Sequence, residues 1–177
     1  MNTKILALAI AASLCPLLAS ASDGTLTFGG ELKAETCTIT GPKDFTVTLP
    51  TVAVSSFSTT TDKVGDTPFS ISVSGCSAGL TGANVYFEHG ATVLTAGGTL
   101  KNTAASGAAG NVELALLTPS GEWIDLAPPS VTSQYTQLNN NLSSNAARLD
   151  FIVAYLANGT VTPGAVQSSV TYSMVYN

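Results

Sequence analysis

Phe69-Ser70-Ile71-Ser72-Val73-Ser74-Gly75-Cys76 is the stretch that decides the fold class. Large apolar side chains alternate one for one with serine, so every second position suits a core and every position between suits water. That period of two belongs to a strand with one buried face, because a helix places neighbours three and four apart on the same side. Gly75 closes the run just before Cys76.

Outward from this stretch the same vocabulary repeats. Short runs of Val, Ile, Thr, Phe and Tyr are separated by Gly41-Pro42, Pro119-Ser120-Gly121, Pro128-Pro129, Asn158-Gly159 and Pro163-Gly164. Each of these pairs and triplets favours a turn over continued pairing. The spacing predicts strands over 25–32, 36–40, 46–49, 69–75, 85–88, 112–117, 123–126, 149–156 and 166–176. Residues 96–111, rich in Ala, Gly and Ser, read as a loop beside a short edge strand, and 139–147 reads as a loop with room for a helical turn. No segment shows sustained helical periodicity, so an all-β antiparallel sandwich in one domain is expected.

The chain begins with a different grammar. Lys4 is followed by an apolar run from Ile5 to Leu18 and then by Ala19-Ser20-Ala21, the layout of a secretory signal with a small-residue cleavage site. The run is shorter than the roughly 20 residues of a spanning helix, and Pro16 interrupts it. A signal peptide is therefore expected over 1–21, leaving a chain from Ser22 to Asn177 with enough length for one core. Only Cys37 and Cys76 remain after cleavage, and an even pair in an exported chain predicts a disulfide. Closing a loop of about 40 residues is worth roughly 3–4 kcal/mol.

Charged residues make up 10% of the 177 positions and the net charge is −5, which gives no basic surface to follow phosphates. Nucleic acid is not an expected partner. His89 is the single histidine, so any triad or multi-histidine metal site would have to form around it. Its neighbour Glu88 would project to the opposite face of a strand. Asp62, Asp66, Asp125 and Asp150 are scattered, and the glycines at Gly97-Gly98 and 106–110 lack the Lys-Ser/Thr of a phosphate loop. The expectation is a protein that is not an enzyme and has no cofactor and no metal. Trp123, Tyr86 and Tyr135 keep a second reading open, a self-contained secreted β-sandwich that binds carbohydrate by ring stacking.

The two termini carry the strongest alternation. Leu26, Phe28, Gly30 and Leu32 share one face of a prospective strand, with Thr25, Thr27, Gly29, Glu31 and Lys33 on the other. A glycine in the apolar row marks close approach of another backbone or a shallow place in a groove. At the other end Val166, Val170, Tyr172, Met174 and Tyr176 share the parity of Ser168, in a run that reaches almost to Asn177. A strand at the end of the chain offers its edge to whatever pairs with it.

These residues resemble a family, the type 1 fimbrial pilin subunits of chaperone/usher pili. The matching positions are Gly24-Thr25-Leu26-Thr27-Phe28, then Gly30-Glu31-Leu32 and Cys37, with Cys76 closing a strand, residues 151–155, Gly164 and the penultimate Tyr176. Gly164 is fourteenth counted back from Asn177, which is similar to that family's chaperone-recognition pattern. The resemblance implies an incomplete immunoglobulin-like sandwich (the pilin fold) that lacks its final strand and is completed by donor strand exchange. Residues 22–34 would be the donor extension and 35–177 the pilin domain. Leu26, Phe28, Gly30 and Leu32 would be the donated row. Gly164, Val166, Val170, Tyr172, Met174 and Tyr176 would form the groove strand, with Cys37 and Cys76 as the staple. The implied partners are other pilin subunits, a periplasmic chaperone, an outer-membrane usher and a host receptor met through the fibre. The implied route runs through the periplasm to a fimbria on the cell surface that supports adhesion.

Overall fold

The computed structural model describes residues 36–135 and 141–177, with Thr27 and Gly29 apart from them. The chain divides into two units, Met1–Lys33 and Ala34–Asn177. Every described strand and helix belongs to the second unit. The expected signal peptide and the row Leu26, Phe28, Gly30 and Leu32 lie outside the described residues.

Among the described residues eight strands form: β1 (Thr38–Thr40), β2 (Lys63–Ser74), β3 (Ala83–Phe87), β4 (Val93–Leu94), β5 (Thr99–Lys101), β6 (Val112–Leu117), β7 (Ala147–Ala157) and β8 (Tyr172–Tyr176). Among the described residues one short α-helix, α1 (Val131–Tyr135), and a 3-10 turn over Val54–Ser56 accompany them. The strands make a six-stranded sheet in the order β1-β2-β7-β6-β5-β4 and a two-stranded sheet of β3 and β8. Every ladder between these strands is antiparallel.

Register follows from the alternation. In the β2–β7 ladder Phe69 faces Phe151, Ile71 faces Leu149 and Val73 faces Ala147, which puts the apolar sets of both strands on one side. Ser70 opposite Asp150 and Ser72 opposite Arg148 take the other. Slipping this ladder by one residue would move the whole apolar set to the wrong face, so the pattern fixes the pairing. Val85 and Phe87 of β3 close the core from the second sheet. Phe87 meets Phe151 edge-on at 5.1 Å between centroids, and Phe69 stacks on Phe151 at 5.3 Å. A second apolar cluster, Ala115, Leu117, Ala154 and Leu156 with Trp123 and Ile152, comprises the alternate residues of β6 and β7. Both faces of these two strands are therefore apolar, which accounts for the uninterrupted run Leu114-Ala115-Leu116-Leu117. Cys37 and Cys76 are bonded across 39 residues and pin the entry to β1 against the end of β2.

Several expected elements differ. Residues 46–49 pair with no strand among the described residues, although Val47 and Leu49 still pack on the core. Residues 123–126 are not a strand either. Ile124 N–H donates to Leu116 and Leu126 N–H donates to Gly98, so the segment changes partner within two residues and no ladder persists. The loop expected over 96–111 contains β5, and β4 lies just before it. The helical turn expected within 139–147 is instead α1, earlier in the chain; Ser143 and Ala146 form a tight reversal through Ser144 and Asn145, both at positive φ. The strand expected over 166–176 is confined to Tyr172–Tyr176, because β3 is too short to pair with the rest.

Candidate functional site

A sheet edge left unpaired is a ready template for another strand, so the edges locate the site. The six-stranded sheet ends in β1 and β4, three and two residues long, which blunts both. In the two-stranded sheet the far edge of β3 is covered at both ends: the Gln134 side chain bonds Phe87, and Leu142 N–H donates to Thr81. That leaves β8.

One side of the segment leading into β8 is fully occupied. Glu88 N–H donates to Thr171, Thr92 Oγ1 to Ser169, Thr103 N–H to Gln167 and Ala109 N–H to Ala165. The Asn102 carboxamide acts as a strand would, donating to Ala165 at 2.9 Å and accepting from Gln167 N–H at 3.0 Å. All of these partners take odd-numbered residues. Peptide groups alternate between the two edges of a strand, so those of Val166, Ser168, Val170, Tyr172, Met174 and Tyr176 face the opposite edge. Among the described residues that edge has no strand partner, and Val166, Ser168 and Val170 have no backbone hydrogen bond. The side chains of Val166, Val170, Tyr172, Met174 and Tyr176 pack against the main core, so the open edge borders apolar surface. The Ser168 Oγ is buried there without a partner.

Across from this edge runs the chain from Cys37 to Pro50, and three tyrosines reach it. Tyr172 Oη donates to Lys43 O at 2.9 Å, Tyr155 Oη to Pro50 O at 3.2 Å and Tyr176 Oη to Cys37 O at 3.5 Å. Burial raises the Tyr155 and Tyr172 hydroxyls above the ordinary value of 10.0, and the charge of Asp44 adds to the effect at Tyr172. Phe45 lies 6.2 Å from Phe69 and remains 42% exposed beside the groove. At the Gly164 end a cavity of about 380 Å³ opens, lined by Val52, Phe57, Tyr155, Val161, Gly164 and Val166 among others. Gly164 is required by space. A Cβ there would stand 2.4 Å from Ala109 N and 2.5 Å from Gly107 O.

Gly164, Val166, Val170, Tyr172, Met174 and Tyr176 thus line one continuous segment, as their parity predicts. Their surroundings were not legible: Asn102, which bonds Ala165 and Gln167, and Tyr155, which bonds Pro50, act on backbone far away in sequence. Of the aromatic residues of the carbohydrate reading, Trp123 and Tyr86 do not converge. Trp123 sits beside Leu117 of the six-stranded sheet, whereas Tyr86 pairs with Ser173 in the two-stranded one. His89 is exposed. Among the described residues no three His, Cys, Asp or Glu side chains are grouped to hold a metal, and no helix is long and apolar enough to cross a membrane.

An antiparallel sandwich of immunoglobulin type, with its C-terminal strand open along a core-lined edge, is the architecture of a pilin. The chain belongs to the fimbrial protein family, which it matches over residues 26–177. The major fimbrial subunit SMF-1 of Stenotrophomonas maltophilia is 40% identical over 166 residues, 92% of this chain and 97% of that one. The F17 fimbrial protein of Escherichia coli is 37% identical, covering 97% of this chain and 96% of its own. Among solved structures, the antigen and type I fimbria protein of Burkholderia pseudomallei has a TM-score of 0.56 at 28% identity, covering 79% of this chain and 88% of that one. This protein is a structural subunit of a fimbria.

Proposed function

We propose that subunits join by strand addition, the row Leu26, Phe28, Gly30 and Leu32 of one copy lying along the open edge of β8 in the next. The observation that carries this is the edge along residues 166–176, without a strand partner among the described residues and backed by core side chains. The width agrees. A tyrosine side chain plus one hydrogen bond bridges on the order of 9 Å, about two inter-strand spacings, which leaves room for one strand between β8 and residues 37–50. Antiparallel addition, the arrangement of every ladder between the described strands, turns Leu26 toward Tyr176 and, with those two opposite each other, sets Leu32 opposite Val170. Burying Leu26, Phe28 and Leu32 stabilises the joint by roughly 5–8 kcal/mol before ordering costs, and backbone hydrogen bonds along the strand add to it.

Until a donor arrives the same groove would expose core, so a periplasmic chaperone fills it first and an outer-membrane usher is where the exchange takes place. Residues 1–21 direct export to the periplasm, 22–34 are the donor and 35–177 the domain. The role is structural and not catalytic, with adhesion exerted through the finished fibre.

Two variants of the full chain test the joint. Phe28→Asp removes donation, and Val170→Asp removes acceptance. Each alone should form no fibres, and a mixture should stop at dimers, because one donor and one acceptor remain. Size-exclusion chromatography with light scattering reads this. Fibres from either variant alone, or a mixture that stays monomeric, would overturn the reading.

A further inference from the structure

We infer that Gln134 decides which edge of the two-stranded sheet can accept a strand, by occupying the β3 edge at Phe87 and leaving β8 open. The inference rests on strand addition at β8. A sheet of two strands has two edges, and assembly through both would branch the fibre or join fibres side by side. The register of the β3–β8 ladder turns the peptide groups of Ala83, Val85 and Phe87 away from β8. At Phe87 they meet the Gln134 carboxamide. Its Oε1 accepts from Phe87 N–H at 2.6 Å and its Nε2 donates to Phe87 O at 3.2 Å, the two bonds that a neighbouring strand would make. The other Nε2 hydrogen goes to Asp125 O at 3.1 Å, so both hydrogens of the amide and its oxygen are in use.

Gln134 is 0% exposed. Glutamine is seldom fully buried, and an apolar residue of similar size would fill the same space. What an apolar residue would not do is cap Phe87, whose N–H and C=O would then present themselves as an edge. The other end of β3 is closed separately, by Asn141 opposite Gly82 and by Leu142 N–H donating to Thr81.

The test uses the full exported chain carrying Gln134→Leu, alone and combined with Phe28→Asp. Amide hydrogen exchange reads Phe87, and electron microscopy with light scattering reads assembly. In Gln134→Leu, with Cys37–Cys76 still bonded, the Phe87 amide should exchange faster by on the order of tenfold or more. Polymers should branch or associate laterally, and that association should persist in the double variant, where β8 receives no donor. Gln134→Glu supplies a second route. As a carboxylate it still accepts from Phe87 N–H but repels the Phe87 and Asp125 carbonyls, so lateral association should appear with the Phe87 amide still protected, whereas in acid its protonated form donates one hydrogen bond and should restore unbranched assembly. A deprotected Phe87 with unbranched fibres and a monomeric double variant would overturn the inference, as would a Phe87 amide that stays protected in Gln134→Leu. If Phe28→Asp alone assembles as the wild type does, it is strand addition at β8 that fails.

Discussion

Gly164 and Tyr172 show how single side chains shape the groove. At Gly164 an added methyl would meet the backbone of Gly107, Ala108 and Ala109, all within 2.6 Å of the new carbon. Backbone has little freedom to give, so Gly164→Ala should cost about 1–3 kcal/mol. Chemical denaturation should show it as a lower midpoint with an unchanged slope. Tyr172 and Tyr155 bind the far wall of the groove as neutral phenols, and both ionise less readily folded than unfolded. Their contribution is complete below about pH 10, where both states hold the proton, and is lost as pH rises beyond it, because the unfolded chain gives up its protons first. Thermal melts should therefore change little between neutral and mildly alkaline solution and fall above about pH 10. Tyr172→Phe should remove part of that fall. The glycine was visible in sequence as a position; the loop that makes it necessary was not.

At the level of elements, parity was easier to read than pairing. Val166, Val170, Tyr172, Met174 and Tyr176 do face the core together, yet only Tyr172–Tyr176 is in a ladder, since pairing depends on how far β3 extends. Residues 46–49 and 123–126 repeat the point: their apolar side chains are inside, but no continuous neighbour lies alongside. The disulfide is the opposite case, because composition and export alone predict it. It closes 39 residues around β2, and Cys37→Ser with Cys76→Ser should lower stability by roughly 4 kcal/mol on the loop-entropy estimate. Equilibrium unfolding of the oxidised and the double-serine chains compares them directly. A loss far below this would mean that the unfolded chain is already compact around β2.

For the whole molecule the decisive property is the balance of its edges. Two short terminal strands, one edge capped by a glutamine and one without a strand partner among the described residues are the pattern that the proposed growth in a single line requires. Low charge, 10% of residues, suits a surface largely covered by neighbours. The sequence by itself determined the class: period-two alternation, turn chemistry and a cysteine pair specify an antiparallel sandwich, because these signals act through neighbours along the chain. It also marked an alternating apolar row at each terminus. Only the tertiary structure decided which edge is open, since an edge is defined by the absence of a partner and by groups such as Asn102, Gln134 and Tyr155 that arrive from distant parts of the chain. Local periodicity carries no record of those encounters.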